Sequence, residues 1–144
     1  MVEARGRPLV VLLGPGQGGD SPMFTPLMQA LRVPRPGPGR PRTRPDLVVA
    51  DKGYSSRANR APCRRRGIRC VIPVKADQKA ARRRRGSKGG REHSFDAESY
   101  KGRNVVERAF ASYKQWRALA TRYDKLAITY RAGLVLHAIL TWLT

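Results

Sequence analysis

The sequence predicts an α/β fold, and three observations carry that expectation. Three short apolar runs, Pro8–Leu13, Leu47–Ala50 and Ile68–Val74, have strand length. Segments with helical spacing of apolar residues lie between and after them. Glycine, proline and aspartate punctuate the junctions, so strands alternate with helices, as in folds with helices packed on a sheet.

The elements follow in order. Pro8–Leu13 is apolar on both faces and reads as a buried strand, ended by Gly14-Pro15-Gly16. Asp20-Ser21-Pro22 looks like a helix start, a polar cap followed by proline in the first turn. Phe24, Leu27, Met28 and Leu31 supply the apolar face of that helix. Residues 34–46 alternate proline, glycine and arginine and form a basic, flexible surface loop. Leu47–Ala50 reads as a second buried strand ending at Asp51. A short helix over Arg57–Arg66 and a third strand over Ile68–Val74 come next, with Pro73 placing that strand near an edge. Residues 76–99 hold Arg82, Arg83, Arg84 and Arg85 among glycines and serines with almost nothing to bury, and read as a second irregular, flexible basic segment. Two helices, Arg103 to about Ala120 and about Lys125 to the end, complete one domain over 1–144. The most apolar stretch, Ala132–Leu143, reads as a buried helix too short to cross a bilayer.

The charge narrows the partners. Thirty basic residues face ten acidic ones, a net charge of +20 in 144 residues, and 23 of the thirty are arginine. A compact domain tolerates such self-repulsion poorly without a polyanion, so nucleic acid is the first partner to consider. Arginine suits phosphate because its planar fork makes two parallel charge-assisted hydrogen bonds. Ala, Gly and Pro are also abundant, as codon bias in a GC-rich genome produces, so the charge does not identify a reaction. Cys63 and Cys70 form no CxxC pair, and neither His93 nor His137 completes a zinc-ligand spacing. With no signal-peptide core behind Met1, a cytoplasmic, non-membrane protein is the expectation.

Tyr100, Arg103, Glu107 and Lys114 fall on one helical stripe, an arc of roughly 60° at about 100° per residue. Val105, Val106, Ala109, Phe110, Tyr113 and Trp116 lie nearly opposite and would pack inward. A carboxylate flanked by arginine, lysine and a phenol suits a divalent metal and a DNA phosphate held together. The same spacing also fits a solvated face with an Arg103–Glu107 i,i+4 pair. Asp51, just past the carboxyl end of a strand, sits where α/β folds place ligands and catalytic groups, although a strand-terminal aspartate is equally a turn former. Magnesium prefers one or two carboxylates with water and phosphate, and two such ions would promote an in-line phosphoryl transfer.

Val49-Ala50-Asp51-Lys52-Gly53-Tyr54, followed by Tyr100-Lys101-Gly102-Arg103-Asn104-Val105-Val106-Glu107-Arg108 and Lys114, resembles the catalytic domain of bacterial insertion-sequence transposases of the DDE type. The tyrosine–arginine–glutamate–lysine pattern is that family's signature around its last acidic residue. The similarity runs through Arg7-Pro8-Leu9, Gly14-Pro15-Gly16 and Trp116–Lys125, essentially the whole chain. It implies an RNase H-like fold and Mg2+-dependent strand cleavage and joining at transposon ends. Asp51 would be the second acid and Glu107 the third, with Arg103 and Lys114 gripping DNA phosphates and Tyr100 beside them. Apart from the resemblance, the charge run Arg82, Arg83, Arg84 and Arg85 fits either a basic segment lying along a DNA backbone or a solvated insertion with no specific role. The first acid has no counterpart: before Asp46 only Glu3 and Asp20 are acidic, and neither sits in a matching strand. The expectation is therefore the C-terminal portion of the domain, incomplete for want of its N-terminal central strand and inactive alone. It would be either a split-gene product with an upstream transposase half or a decayed remnant, and an oligomer when complete. A non-catalytic basic nucleic-acid-binding protein is the alternative, and an RNase H-like resolvase a third class that the spacing disfavours.

Overall fold

A computed structural model describes residues 1–144. β1 (Leu47–Val49) and β2 (Arg69–Val71) form a two-stranded parallel sheet in the register Leu47↔Arg69, Val48↔Cys70 and Val49↔Val71. Parallel neighbours need a crossover, and α2 (Arg57–Arg65) supplies it. Ser56 starts α2 because its side chain accepts from the Asn59 N–H at 3.2 Å. Upstream, a 3-10 turn over Ser21–Met23 runs into α1 (Phe24–Ala30). The chain is thus mixed α/β, as expected.

Phe24 and Met28 of α1 meet Cys63 of α2 and Ile68 before β2, a cluster bordered by Val48, Tyr54 and Cys70. The buried Asn59 ties three segments together, its Nδ2 donating to Ser21 Oγ at 3.1 Å, Ser21 O at 3.3 Å and Tyr54 O at 3.3 Å. Met28→Ala should lower stability by about 2–5 kcal/mol, as core truncations leaving a cavity do; urea unfolding followed by circular dichroism measures it.

The C-terminal helices pack around a histidine. α5 (Asn104–Gln115) and α6 (Arg117–Thr121) break at Trp116, whose ψ of 104° is extended, so the single helix expected over this stretch is two. α7 (Ala127–Leu143) lies against both. Its buried His137 bonds Ser112 Oγ at 3.1 Å and stacks on Tyr113 with centroids 4.2 Å apart. Trp142 Nε1 donates to Pro8 O at 2.8 Å, and Arg7 sits over the Trp142 ring at 5.1 Å. No helix is long and apolar enough to cross a membrane.

Five expectations are corrected. Pro8–Leu13 is not a strand: a single Val2–Pro8 bridge and the bonds of Leu9 and Val10 with Met1 tie only its first half to the N-terminal residues, and Pro8 has no N–H to give. Ala76–Arg84 is a helix (α3), not irregular. Its alanines, glutamine, lysine and arginines are strong helix formers, and Asp77 in the first turn with arginines in the last complement the helix dipole. Ala97–Lys101 adds a short α4, capped by Asp96 Oδ1 accepting from the Ser99 N–H at 3.0 Å. Ala132–Leu143 is helical but not buried: Leu136 is 52 % exposed and Trp142 45 % exposed. Phe110, placed on the inward face by the helical wheel, is 63 % exposed. β1 is half-buried rather than buried.

These exposures share a cause. The accessible surface is 10905 Å² at 16.1 kDa, roughly half as much again as the ~7,400 Å² of a compact monomer this size. Only 12 of 144 residues are buried, so the apolar faces of α5 and α7 lack a covering layer.

Candidate active site

Asp51 follows β1 by two residues and turns the chain into a 3-10 turn over Lys52–Tyr54, where its Oδ1 accepts from the Gly53 N–H at 3.0 Å. Its carboxylate is exposed. Tyr54, next in the turn, packs on Phe24 with ring centroids 6.0 Å apart. Burial, then the negative charges of Asp20 and Asp51, push the Tyr54 phenol up.

Glu107 lies in the first turn of α5, where the helix dipole favours a carboxylate. Arg103 caps that helix and donates from Nη2 to Glu107 Oε1 at 2.5 Å. The guanidinium also sits 5.7 Å from the centre of the Tyr100 ring on α4. Its pKa is raised first by the Glu107 hydrogen bond, and further by the charges of Tyr100, Glu107 and Asp51. Glu107 is the carboxylate bonded to Arg103, and Asp51 acts on it only as a more distant charge. On energetics alone the half-exposed Arg103–Glu107 pair is worth only a few tenths of a kcal/mol. What sets it apart from an ordinary surface pair is the Tyr100 ring beside the guanidinium.

Not every residue singled out in the sequence joins this cluster. Lys114 is exposed two helical turns further along α5, roughly 10 Å on. Arg82–Arg84 end α3 and Arg85 caps it, on a separate element. Arg57, Arg60 and Arg64 belong to no motif, though their i, i+3, i+7 spacing is the signal that puts them on one face of α2.

For a divalent ion the donors fit in kind: two exposed carboxylates, with no thiol or imidazole competing. They fall short in number, since no three His, Cys, Asp or Glu residues cluster anywhere. Glu3 is held in its own N-terminal turn, where its Oε1 accepts the Arg5 and Arg7 N–H groups at 3.0 and 3.2 Å. Asp20 caps Ser21–Met23 through its backbone carbonyl, with no side-chain capping bond. Neither residue lies in a strand.

Comparison with known proteins identifies the cluster's setting. The family profile described as "Transposase DDE domain" matches residues 1–142. A Burkholderia cepacia protein named as a transposase for insertion sequence element IS402 is 34 % identical over 136 residues, covering 94 % of this chain. The chain spans 57 % of that relative's length. No solved structure matches it. With a family match over nearly its whole length, the chain belongs to the DDE-type insertion-sequence transposases.

Proposed function

We propose that the chain is the C-terminal portion of an RNase H-like transposase catalytic domain, working in Mg2+-dependent cleavage and joining of DNA strands at transposon ends. One observation supports this above the others: the family match over residues 1–142 takes in both an exposed Asp51 at a strand end and a Glu107 at a helix start that is bonded by Arg103. Asp51 and Glu107 would hold the metal, which, when bound, supplies charge stabilisation at the phosphoryl group. The chain's own residues do the rest. Arg103 grips a phosphate with the donors Glu107 leaves free, and Tyr100 backs that guanidinium and fixes its plane. Lys114, two turns away, meets a phosphate further along the strand as a point charge. Asp51 is held in position by the Gly53 N–H. The third carboxylate comes from outside the site described above, so the chain alone does not turn over.

A non-catalytic basic binder remains the competing class, and the carboxylates separate the two. In duplex-binding titrations, Asp51→Asn/Glu107→Gln should bind DNA at least as tightly without metal, because two negative charges are gone. Only the transposase reading predicts that Mg2+ strengthens wild-type binding and leaves the double variant unmoved. Equal metal responses in the two proteins would favour the simple binder.

A further inference from the structure

A second basic feature lies away from the carboxylates. α2 and α3 flank a cleft of about 550 Å³, walled by Arg57, Arg60 and Arg64 on one side and Arg82, Arg85 and Arg91 on the other. No carboxylate lines it. Arg83 and Arg84, between Arg82 and Arg85 on the same helix, do not line it either, so the four-arginine run splits into two inward and two outward residues.

The walls are pinned. Arg60 Nη2 donates to Ile72 O at 2.5 Å and its Nε to Ser55 O at 3.4 Å, leaving three N–H groups without a protein partner. Arg82 Nη1 donates to Arg91 O at 2.6 Å, drawing the segment after α3 back over the cleft. Gly89 makes that return possible, since a Cβ there would clash with the Arg82 carbonyl oxygen. Arg64 and Arg85 make no side-chain hydrogen bond and remain free to meet a ligand. Six like charges held around one cavity, with no acid among them, call for a polyanion that threads between the helices.

We infer that this cleft is a docking groove for the DNA phosphate backbone, separate from the carboxylate cluster, with Arg57, Arg64, Arg85 and Arg91 meeting phosphates between the pinned Arg60 and Arg82. The inference rests on the DNA-binding reading of the chain. Ser55 lines the groove four residues beyond Asp51, so a strand leaving the carboxylates has a short path into it.

The test compares two double variants that lose the same charge: Arg64→Ala/Arg85→Ala inside the groove and Arg83→Ala/Arg84→Ala outside it. Fluorescence anisotropy with a labelled duplex across a salt series reads both, with circular dichroism confirming an unchanged fold. The groove pair should weaken binding about tenfold and flatten the salt slope by about 1.8, two phosphate contacts' worth. The outer pair should stay within about twofold with its slope unchanged. His93 gives an independent readout. Burial, then Arg60, Arg82 and Arg64, hold its imidazole down, while Arg91 and Glu92 flank it. DNA in the groove should therefore raise the His93 pKa in an NMR titration. Identical losses from the two pairs, with His93 unmoved, would overturn the groove; if Arg103→Ala/Lys114→Ala then weakens binding, the DNA reading survives. Absence of wild-type binding at low salt would overturn both. The same substitutions in a chain fused to its upstream half keep the comparison decisive if the isolated chain aggregates.

Discussion

Asp51→Asn or Glu107→Gln, placed in a full-length enzyme, should cut strand cleavage by about a thousandfold or more while DNA binding persists. Each substitution keeps the side chain's shape and removes the negative charge a hard cation needs. Losing several kcal/mol of charge stabilisation at the transferring phosphoryl corresponds to several powers of ten in rate. The two changes should also fail to add, because either alone disables the same metal site. Glu107→Gln carries a second consequence: Arg103 loses the partner that raises its pKa and holds its plane, so end capture should loosen slightly. Gel-resolved nicking of a terminal-repeat duplex measures the first effect, and anisotropy the second. Arg103→Ala and Lys114→Ala should behave differently, weakening capture and cleavage together. Cleavage within tenfold of wild type by either carboxylate variant would remove that residue from the site.

The second large effect concerns folding. Expressed alone, the chain should be poorly soluble, melt broadly and neither nick nor join DNA. Co-expression with an upstream half that carries a strand should raise solubility several-fold and sharpen melting. The reasons are local. Pro8–Leu13 has no strand beside it, and Leu136, Ile139, Leu140 and Leu143 on α7 are at least 42 % exposed. At about 25 cal/mol per Å², covering even 800 Å² of apolar surface is worth roughly 20 kcal/mol before ordering costs, more than a domain's whole net stability of about 5–15 kcal/mol. Leu136→Lys/Leu140→Lys offers the check: it should help solubility in the isolated chain and weaken association with the upstream half. A soluble chain that melts cooperatively without a partner would contradict this.

The sequence made some of this legible and hid the rest, for identifiable reasons. α1 could be read because apolar spacing and a polar start agree there, and Asp20-Ser21-Pro22 marks a start the structure keeps. Asp51 could be placed because a strand followed by Asp-Lys-Gly is a local pattern. α3 was hidden by its lack of an apolar face: its helicity rests on intrinsic propensity, which patterning ignores. The fate of Pro8–Leu13, Phe110 and α7 depends on which surfaces lie opposite them, and no local pattern carries that. The arginine groove was hidden for a related reason. Arg57, Arg60 and Arg64 look like a solvated helix face until α3 is seen to bring Arg82 and Arg85 up against them.

The central claim is that Asp51 and Glu107 form one metal site. Manganese added to the isotope-labelled full-length protein tests it most directly, through paramagnetic broadening of amide resonances. The account predicts that residues 51–53 and 103–107 broaden together at the lowest manganese, and that Asp51→Asn abolishes the effect at both. Broadening spread evenly over exposed acids such as Asp46 and Glu98, or confined to Asp51 with Glu107 untouched, would contradict it.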